Sequence, residues 1–176
     1  GAKCPTDELD NRYCPGYFGH IELAKPVFQH HFLKYTIKTR QSICYKCSKL
    51  YYDETSPEVR KILNSKKGLN RFTAITSLCT KSANRVCGDK RSDGCGHIYP
   101  SIIKREPTSI AKLTALWKMK ASDKDEESSK NSDMSFVWDA GDVEKILRRI
   151  SDTDLEILGF SKELCRPEWL ICTVLP

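Results

Sequence analysis

The sequence predicts an α+β chain of irregular build, with short helices and a small antiparallel sheet. Three observations carry this. Apolar residues recur at helical spacing only over short stretches, and brief apolar runs near residues 98–105, 112–118 and 134–138 read as strands. The remaining feature is cysteine: there are nine, several in close pairs beside glycines. At 176 residues, with 39% hydrophobic and 30% charged residues, the chain can build one modest core. No apolar run approaches the roughly 20 residues of a membrane helix. Collagen-like and simply disordered compositions are excluded.

An odd cysteine count forbids complete internal disulfide pairing. Secreted disulfide scaffolds are shorter and more evenly punctuated with Cys, whereas here the C-terminal half is nearly free of Cys, with only Cys95, Cys165 and Cys172. No signal segment precedes Cys4, and the chain opens without Met, as an excised piece would. Grouped cysteines in a Lys-rich chain read as zinc ligands in a reducing, intracellular compartment.

Residues 1–24 form a loop-rich start containing Cys4, Cys14, Gly16 and Gly19. Pro26 suits the first turn of a helix, with Phe28, Phe32 and Tyr35 following at helical spacing and Lys34, Lys38 and Arg40 near its C-terminal dipole. Ser56 is an expected N-cap for a short helix at 58–63. A second helix is expected at 69–81, with Leu69, Phe72, Ile75 and Cys79 on one face. Residues 121–133 are polar and acidic, the expected flexible loop of a hairpin. A helix at 142–150 carries the stripe Val143, Ile146, Leu147 and Ile150. Ser151 and Asp154 resemble a capping box for a last helix that Gly159 ends, and residues 169–175 read as a final strand. The expected organisation is a metal-bearing part at 1–100, hairpin strands at 101–140 and a helical segment with the final strand at 141–176, all of one domain.

Cys44 and Cys47 enclose two residues, a spacing that turns both thiolates of a tight knuckle toward one tetrahedral metal. Cys87 and Cys95 supply the second pair, and Gly88, Gly94 and Gly96 let the backbone turn sharply around it. Four cysteines leave no open coordination position, so such a zinc site is structural. The competing reading is two buried thiols and two loop cysteines. Cys79 reads as a core thiol, Cys165 and Cys172 as buried and inert, and His97 as a substitute ligand of low rank. His30-His31 suit packing, because helix neighbours diverge by about 100°. Tyr51-Tyr52 suit the core better than base stacking. Lys66, Lys67, Arg71, Lys81 and Arg85, with Lys61, Lys90 and Arg91, crowd the stretch between the two half-sites. Such a basic face attracts phosphate without reading sequence, although on charge alone a merely solvated face explains it equally well. Neither an open zinc site nor a Cys nucleophile with a positioned His is apparent, so no catalytic residue is assigned.

Five separated stretches point to a family. They are Cys14-Pro15-Gly16-Tyr17-Phe18-Gly19-His20-Ile21 running on to Leu23-Ala24-Lys25-Pro26-Val27-Phe28; Cys44-Tyr45-Lys46-Cys47; Gly94-Cys95-Gly96; Ile146 to Asp152 with Leu158-Gly159-Phe160; and Arg166-Pro167-Glu168-Trp169. In this order they resemble the N-terminal clamp region of the largest subunit of multi-subunit DNA-directed RNA polymerases, of eukaryotic, archaeal or large-DNA-virus type. The resemblance implies an irregular, zinc-stabilised clamp-type fold with two zinc ions. One ion falls to Cys44, Cys47, Cys87 and Cys95. The other falls to positions occupied here by Cys4, Asp7, Cys14 and Tyr17, where the family has three cysteines and a histidine. Either His20 completes an altered Cys4, Asp7, Cys14, His20 site, or the ion is lost and packing holds the loop.

The resemblance further implies a mobile wall holding DNA and the RNA–DNA hybrid. Its partners would be the second-largest subunit, the rest of the largest subunit, and initiation or elongation factors, with no membrane. It would reside in the nucleus if eukaryotic, or in the host cell or virion if viral. The family's magnesium-binding Asn-Ala-Asp-Phe-Asp-Gly-Asp motif is absent from the chain, so the nucleotidyltransferase centre and its Mg belong to the full polymerase. The alternative is an independent zinc-binding nucleic-acid or protein-interaction module.

Overall fold

In the computed structural model the described residues are 2–82, 84–107, 109, 111–117 and 134–175; the expected acidic loop at 121–133 lies outside them. Among these residues the chain forms five helices, α1 (Leu33–Ser42), α2 (Pro57–Ser65), α3 (Gly68–Cys79), α4 (Ala140–Arg148) and α5 (Asp152–Leu158). Five strands, β1 (Ile21–Phe28), β2 (Ile102–Arg105), β3 (Lys112–Trp117), β4 (Met134–Asp139) and β5 (Ile171–Leu175), complete the α+β architecture. β2, β3 and β4 make an antiparallel meander, and β1 pairs antiparallel with β5.

The first element departs from expectation. Pro26 lies in a strand, not at a helix start, and α1 begins only at Leu33. The reason is the pairing with β5. Ile21 and Glu22 face Leu175 and Val174, Val27 and Phe28 face Cys172 and Ile171, and the register slips between Glu22 and Val27. Pro26 has no N–H to donate and falls inside that slip, where a strand tolerates it. Arg40 is also not a surface cation at the end of α1 but fully buried.

The later elements follow the sequence pattern more closely. Val143, Ile146, Leu147 and Ile150 are all buried. Of the α3 face, Phe72, Ile75 and Cys79 are buried while Leu69 is exposed. Ser56 precedes α2 but accepts no cap bond; its hydroxyl donates to Asp53 Oδ1 at 3.3 Å. The carboxylate of Asp139 caps α4 by accepting from Asp142 N at 2.8 Å. Gly159 ends α5 at φ +87°, where an added Cβ would come within 3.0 Å of Gly68 O. β3, central in the meander, buries Leu113, Thr114, Ala115 and Trp117. Trp117 and Trp138 meet edge-on at 6.1 Å, with Tyr45 at 5.6 Å from Trp117, so the sheet packs directly on the first cysteine knuckle. Cys165 is exposed and Cys172 part-exposed, contrary to the expected burial, because Cys165 lies in a turn closed by its own N–H to Ser161 O (3.0 Å).

A buried carboxylate ties α5 to both knuckle loops. Ser151 Oγ accepts from Asp154 N at 3.2 Å. The Asp154 carboxylate, which a reciprocal cap would send back, instead accepts from Leu50 N at 3.1 Å and from Arg91 Nη1 at 3.3 Å. Both side chains are largely buried, at 3% and 9% exposure. Removing one partner of a buried pair strands the other without solvent. Asp154→Ala is therefore expected to cost about 3–5 kcal/mol in urea denaturation, and a loss below about 1 kcal/mol, the range of an exposed pair, would contradict this role.

Candidate metal centre

The turn after α1 carries the first knuckle. Cys44 N donates to Lys49 O (2.8 Å) and Ser48 N donates back to Cys44 O (3.0 Å). Ser48 takes a left-handed backbone, φ +59°, which closes the loop within six residues. The second knuckle closes where Cys87 N donates to His97 O (2.9 Å) and Gly96 N to Cys87 O (2.8 Å). Here Gly94 runs against Gly88 so closely that a Cβ would lie 2.2 Å from Gly88 N. Glycine at position 94 is a steric requirement of this turn.

The two knuckles converge. The sulfurs of Cys44, Cys47, Cys87 and Cys95 all lie within 4.8 Å of one another. Cys44 Sγ is 3.5 Å from Cys95 Sγ, and Cys47 Sγ is 3.6 Å from Cys87 Sγ. A disulfide needs about 2.05 Å. Four sulfurs tetrahedrally around zinc at about 2.3 Å would be about 3.8 Å apart. The spacing fits a metal centre, and all nine cysteines are unpaired.

The surroundings act on the thiols unequally. Burial pushes Cys44 and Cys87 up. Burial also raises Cys95, but the His97 backbone N–H and the thiols of Cys47 and Cys44 outweigh it and bring it down to about 6. A soft divalent ion binds thiolates, so its binding would release the protons of these thiols. His97 is not among these groups; its Nδ1 lies 3.2 Å from Cys95 O and its ring packs on Tyr45 at 5.7 Å. Cys79 is fully buried, and burial raises its thiol to about 12, so it is an inert core group.

Several residues that the spacing argument did not single out hold the knuckles together. Lys49 Nζ pairs with Asp93 Oδ2 at 2.7 Å, and Arg91 Nη1 donates to Leu50 O at 2.8 Å. Tyr99, almost wholly buried, donates its hydroxyl to Lys49 O at 3.0 Å. No local motif marks them. Only the closeness of charged residues to each knuckle could have drawn attention to them.

The N-terminal loop repeats the first knuckle's backbone. Cys4 N donates to Leu9 O (2.9 Å), Glu8 N donates to Cys4 O (2.9 Å), and Glu8 is left-handed at φ +57°. Lys3 bridges Asp10 as Ile43 bridges Leu50. Asp7 thus stands where the second cysteine of a knuckle would stand. The potential ligand atoms of Cys4, Asp7 and Cys14 lie within 4.8 Å of one another. His20 is exposed and outside this group, contrary to the four-residue set Cys4, Asp7, Cys14, His20. Tyr17 is the residue that reaches in, donating its hydroxyl to Asp7 Oδ2 at 3.0 Å. The Leu9 N–H, on Asp7 Oδ1 at 2.9 Å, holds the carboxyl below its ordinary range.

The basic candidates separate. Lys66, Lys67 and Lys81 are exposed. Arg71 donates to the carbonyls of Lys66, Leu63 and Glu156 at 3.0–3.3 Å. Arg85 is buried and donates to the carbonyls of Gln41, Cys79 and Pro100 at 2.5–3.0 Å. These two guanidinium groups close helix ends, so Arg85 is not placed to meet phosphate and Arg71 is already engaged.

Comparison with known proteins agrees with the geometry. The family model RNA polymerase Rpb1, domain 1, matches residues 1–176. The curated protein "DNA-directed RNA polymerase II subunit RPB1" of Euplotoides octocarinatus is 34% identical over 180 residues, covering 99% of this chain and 35% of that protein. The chain therefore spans about a third of the length of that curated relative.

Cys47→Ser is expected to lower bound zinc by one ion and to lower Tm, and Gly94→Ala to do the same without removing a ligand; atomic spectroscopy and thermal melting read both. Full zinc content in either variant would count against the assigned centre. Asp7→Cys, which places a thiolate on a backbone already shaped for it, is expected to raise the zinc count of the N-terminal loop. An unchanged count would show that knuckle geometry is not what limits that loop.

Proposed function

The chain belongs to the RNA polymerase Rpb1 domain 1 family, and on that premise we propose that it is the clamp segment of the largest subunit of a DNA-directed RNA polymerase. The observation that carries this is the family match along the whole chain together with the four-thiol cluster it frames. Cys44, Cys47, Cys87 and Cys95 would hold zinc as a structural ion, which cross-links two loops without offering an open coordination site. Cys4, Asp7 and Cys14 would form a weaker second site, since a carboxylate replaces one thiolate. The pairing of β1 with β5 supports reading the segments at 1–100 and 141–176 as parts of one domain, and Tyr45 packed on Trp117 supports adding the meander strands of 101–140.

In this reading the chain is a wall of the nucleic-acid cleft and holds DNA and the RNA–DNA hybrid through charge. Lys66, Lys67 and Lys81 are the contact candidates, because their ammonium groups are exposed where Arg71 and Arg85 are committed to carbonyls. Contacts of this kind position the duplex without reading bases. Nucleotide addition, with its Mg, would fall to other parts of the polymerase. The partners are the rest of the largest subunit, the second-largest subunit and factors that act on the clamp. The compartment is the nucleus, as the polymerase II name of the curated relative suggests.

Affinity purification of the largest subunit containing this chain is expected to bring down the second-largest subunit; purification without polymerase subunits would favour an independent zinc-binding module. Replacing Lys66, Lys67 and Lys81 together by Glu is expected to weaken DNA retention and to reduce its salt dependence, by a slope of about 1 per lost phosphate contact. Unchanged retention would remove this face from the interface.

A further inference from the structure

The meander β2-β3-β4 has two edges, and they are not alike. β2 ends in Lys104 and Arg105, both exposed, the kind of charge that blunts a sheet edge against pairing. β4, Met-Ser-Phe-Val-Trp-Asp, has neither Lys nor Pro. Its register with β3 runs unbroken from Met134 to Asp139, so no bulge turns it away. Among the described residues no strand lies on its other side, and no backbone hydrogen bond leads from residues 134–138 to anything but β3. Phe136 is 57% and Val137 50% exposed. An edge so regular and apolar is a template for a further strand.

A groove of about 640 Å³ follows this edge. Phe136, Val137 and Trp138 all line it, although successive side chains of a strand point to opposite faces. Three in a row share one groove when it runs along the strand's side. α4 and the residue after it supply Lys145, Arg148 and Arg149 to the lining, all exposed. Arg148 pairs with Glu144, but Lys145 and Arg149 have no ion-pair partner among the described residues. Asp142 is the only carboxylate among the described lining residues, and its Oδ2 accepts from Asp139 N at 3.4 Å in the cap of α4. Behind the apolar wall, the Arg40 guanidinium lies over the Trp138 ring at 4.3 Å. An unpaired strand edge, exposed apolar side chains and unpaired cations thus meet in one place.

We propose that this groove docks an extended acidic peptide of a partner protein, which adds to β4 as a strand and sets its carboxylates against Lys145 and Arg149. In this mode main-chain hydrogen bonds give affinity and alternate side chains give preference. The open edge is what selects a peptide. A nucleic-acid strand would find the cations but has no row of amides to pair with β4. Edge-to-edge pairing of two copies of this chain would bring the same cations together, and like charges across a pairing oppose it. The proposal does not depend on metal at either cysteine cluster.

The test uses the full chain and a fluorescein-labelled peptide of alternating Glu and Val with a central Phe, read by fluorescence anisotropy. Saturable binding is expected, weakened by rising salt, and a probe with Lys in place of Glu is expected not to bind. Lys145→Glu combined with Arg149→Glu is expected to weaken binding about tenfold, through two lost ion pairs and new repulsion. Two N-methylated probes separate strand addition from charge alone. Methyl groups on alternate amides remove the donors of one peptide edge, so one pattern is expected to abolish binding and the other to leave it largely unchanged. No saturable binding, equal binding of the Glu and Lys probes, or equal effects of the two methylation patterns overturns the proposal. Displacement of the probe by oligodeoxythymidylate together with equal methylation effects gives the groove to nucleic acid instead. A dimer in sedimentation that Phe136→Asp abolishes gives it to a second copy; either result overturns the proposal. Should the double variant not fold, the charge-reversed probe tests the same contact on the parent chain.

Discussion

Two backbone knuckles, 40 residues apart in sequence at Cys47 and Cys87, are brought to a single point, and most of the remaining structure exists to hold them there. Closing so long a loop costs conformational entropy before any contact offsets it. The sulfurs do not bear that cost alone, since burial opposes the ionisation of Cys44 and Cys87. The closure is shared by polar ties that cross the same gap. Lys49 pairs with Asp93, Arg91 donates to Leu50, and Asp154 on α5 accepts from both Leu50 and Arg91. α5 therefore acts as a splint across the two half-sites, although it holds no ligand. Tyr99 adds a buried hydroxyl bond to Lys49 from the far side.

The distribution of arginine changes what the net charge of +6 means. Arg71 and Arg85 donate to carbonyls at the ends of α2, α5, α1 and α3. Helix C-termini leave carbonyls without intrahelical donors and carry partial negative charge, so a guanidinium fork suits them. Arg91 and Arg40 are likewise turned inward. Of Lys61, Lys66, Lys67, Arg71, Lys81, Arg85, Lys90 and Arg91, only the lysines are left exposed. A basic sequence stretch thus resolves into an internal arginine framework and a smaller lysine surface.

The N-terminal loop shows how a metal-type fold persists when its ligands change. Its hydrogen bonds and its left-handed residue reproduce the Cys44 knuckle nearly bond for bond, yet Asp7 stands at the second ligand position and Tyr17 hydrogen-bonds to it. Backbone geometry of this kind is set by local N–H to carbonyl bonds, which do not depend on the side chain that faces the centre. The loop thus has a knuckle's backbone with two thiols and a carboxylate brought close together.

The sequence by itself determined the α+β class, the stripe of α4, the end of α5 at Gly159, the strands of the meander and the two cysteine pairs. All of these depend on periodicity or on spacing within a few residues. Tertiary structure decided the rest. Pro26 reads as a helix start until β5, some 150 residues later, pairs with the strand that contains it. Asp154 reads as a cap until Arg91 competes for its carboxylate. Arg40 and Arg85 read as surface charge until the core closes over them. For Pro26 and Asp154 the local preference is worth about 1 kcal/mol, and the strand or guanidinium that competes with it lies far away in sequence, so no local pattern can announce it.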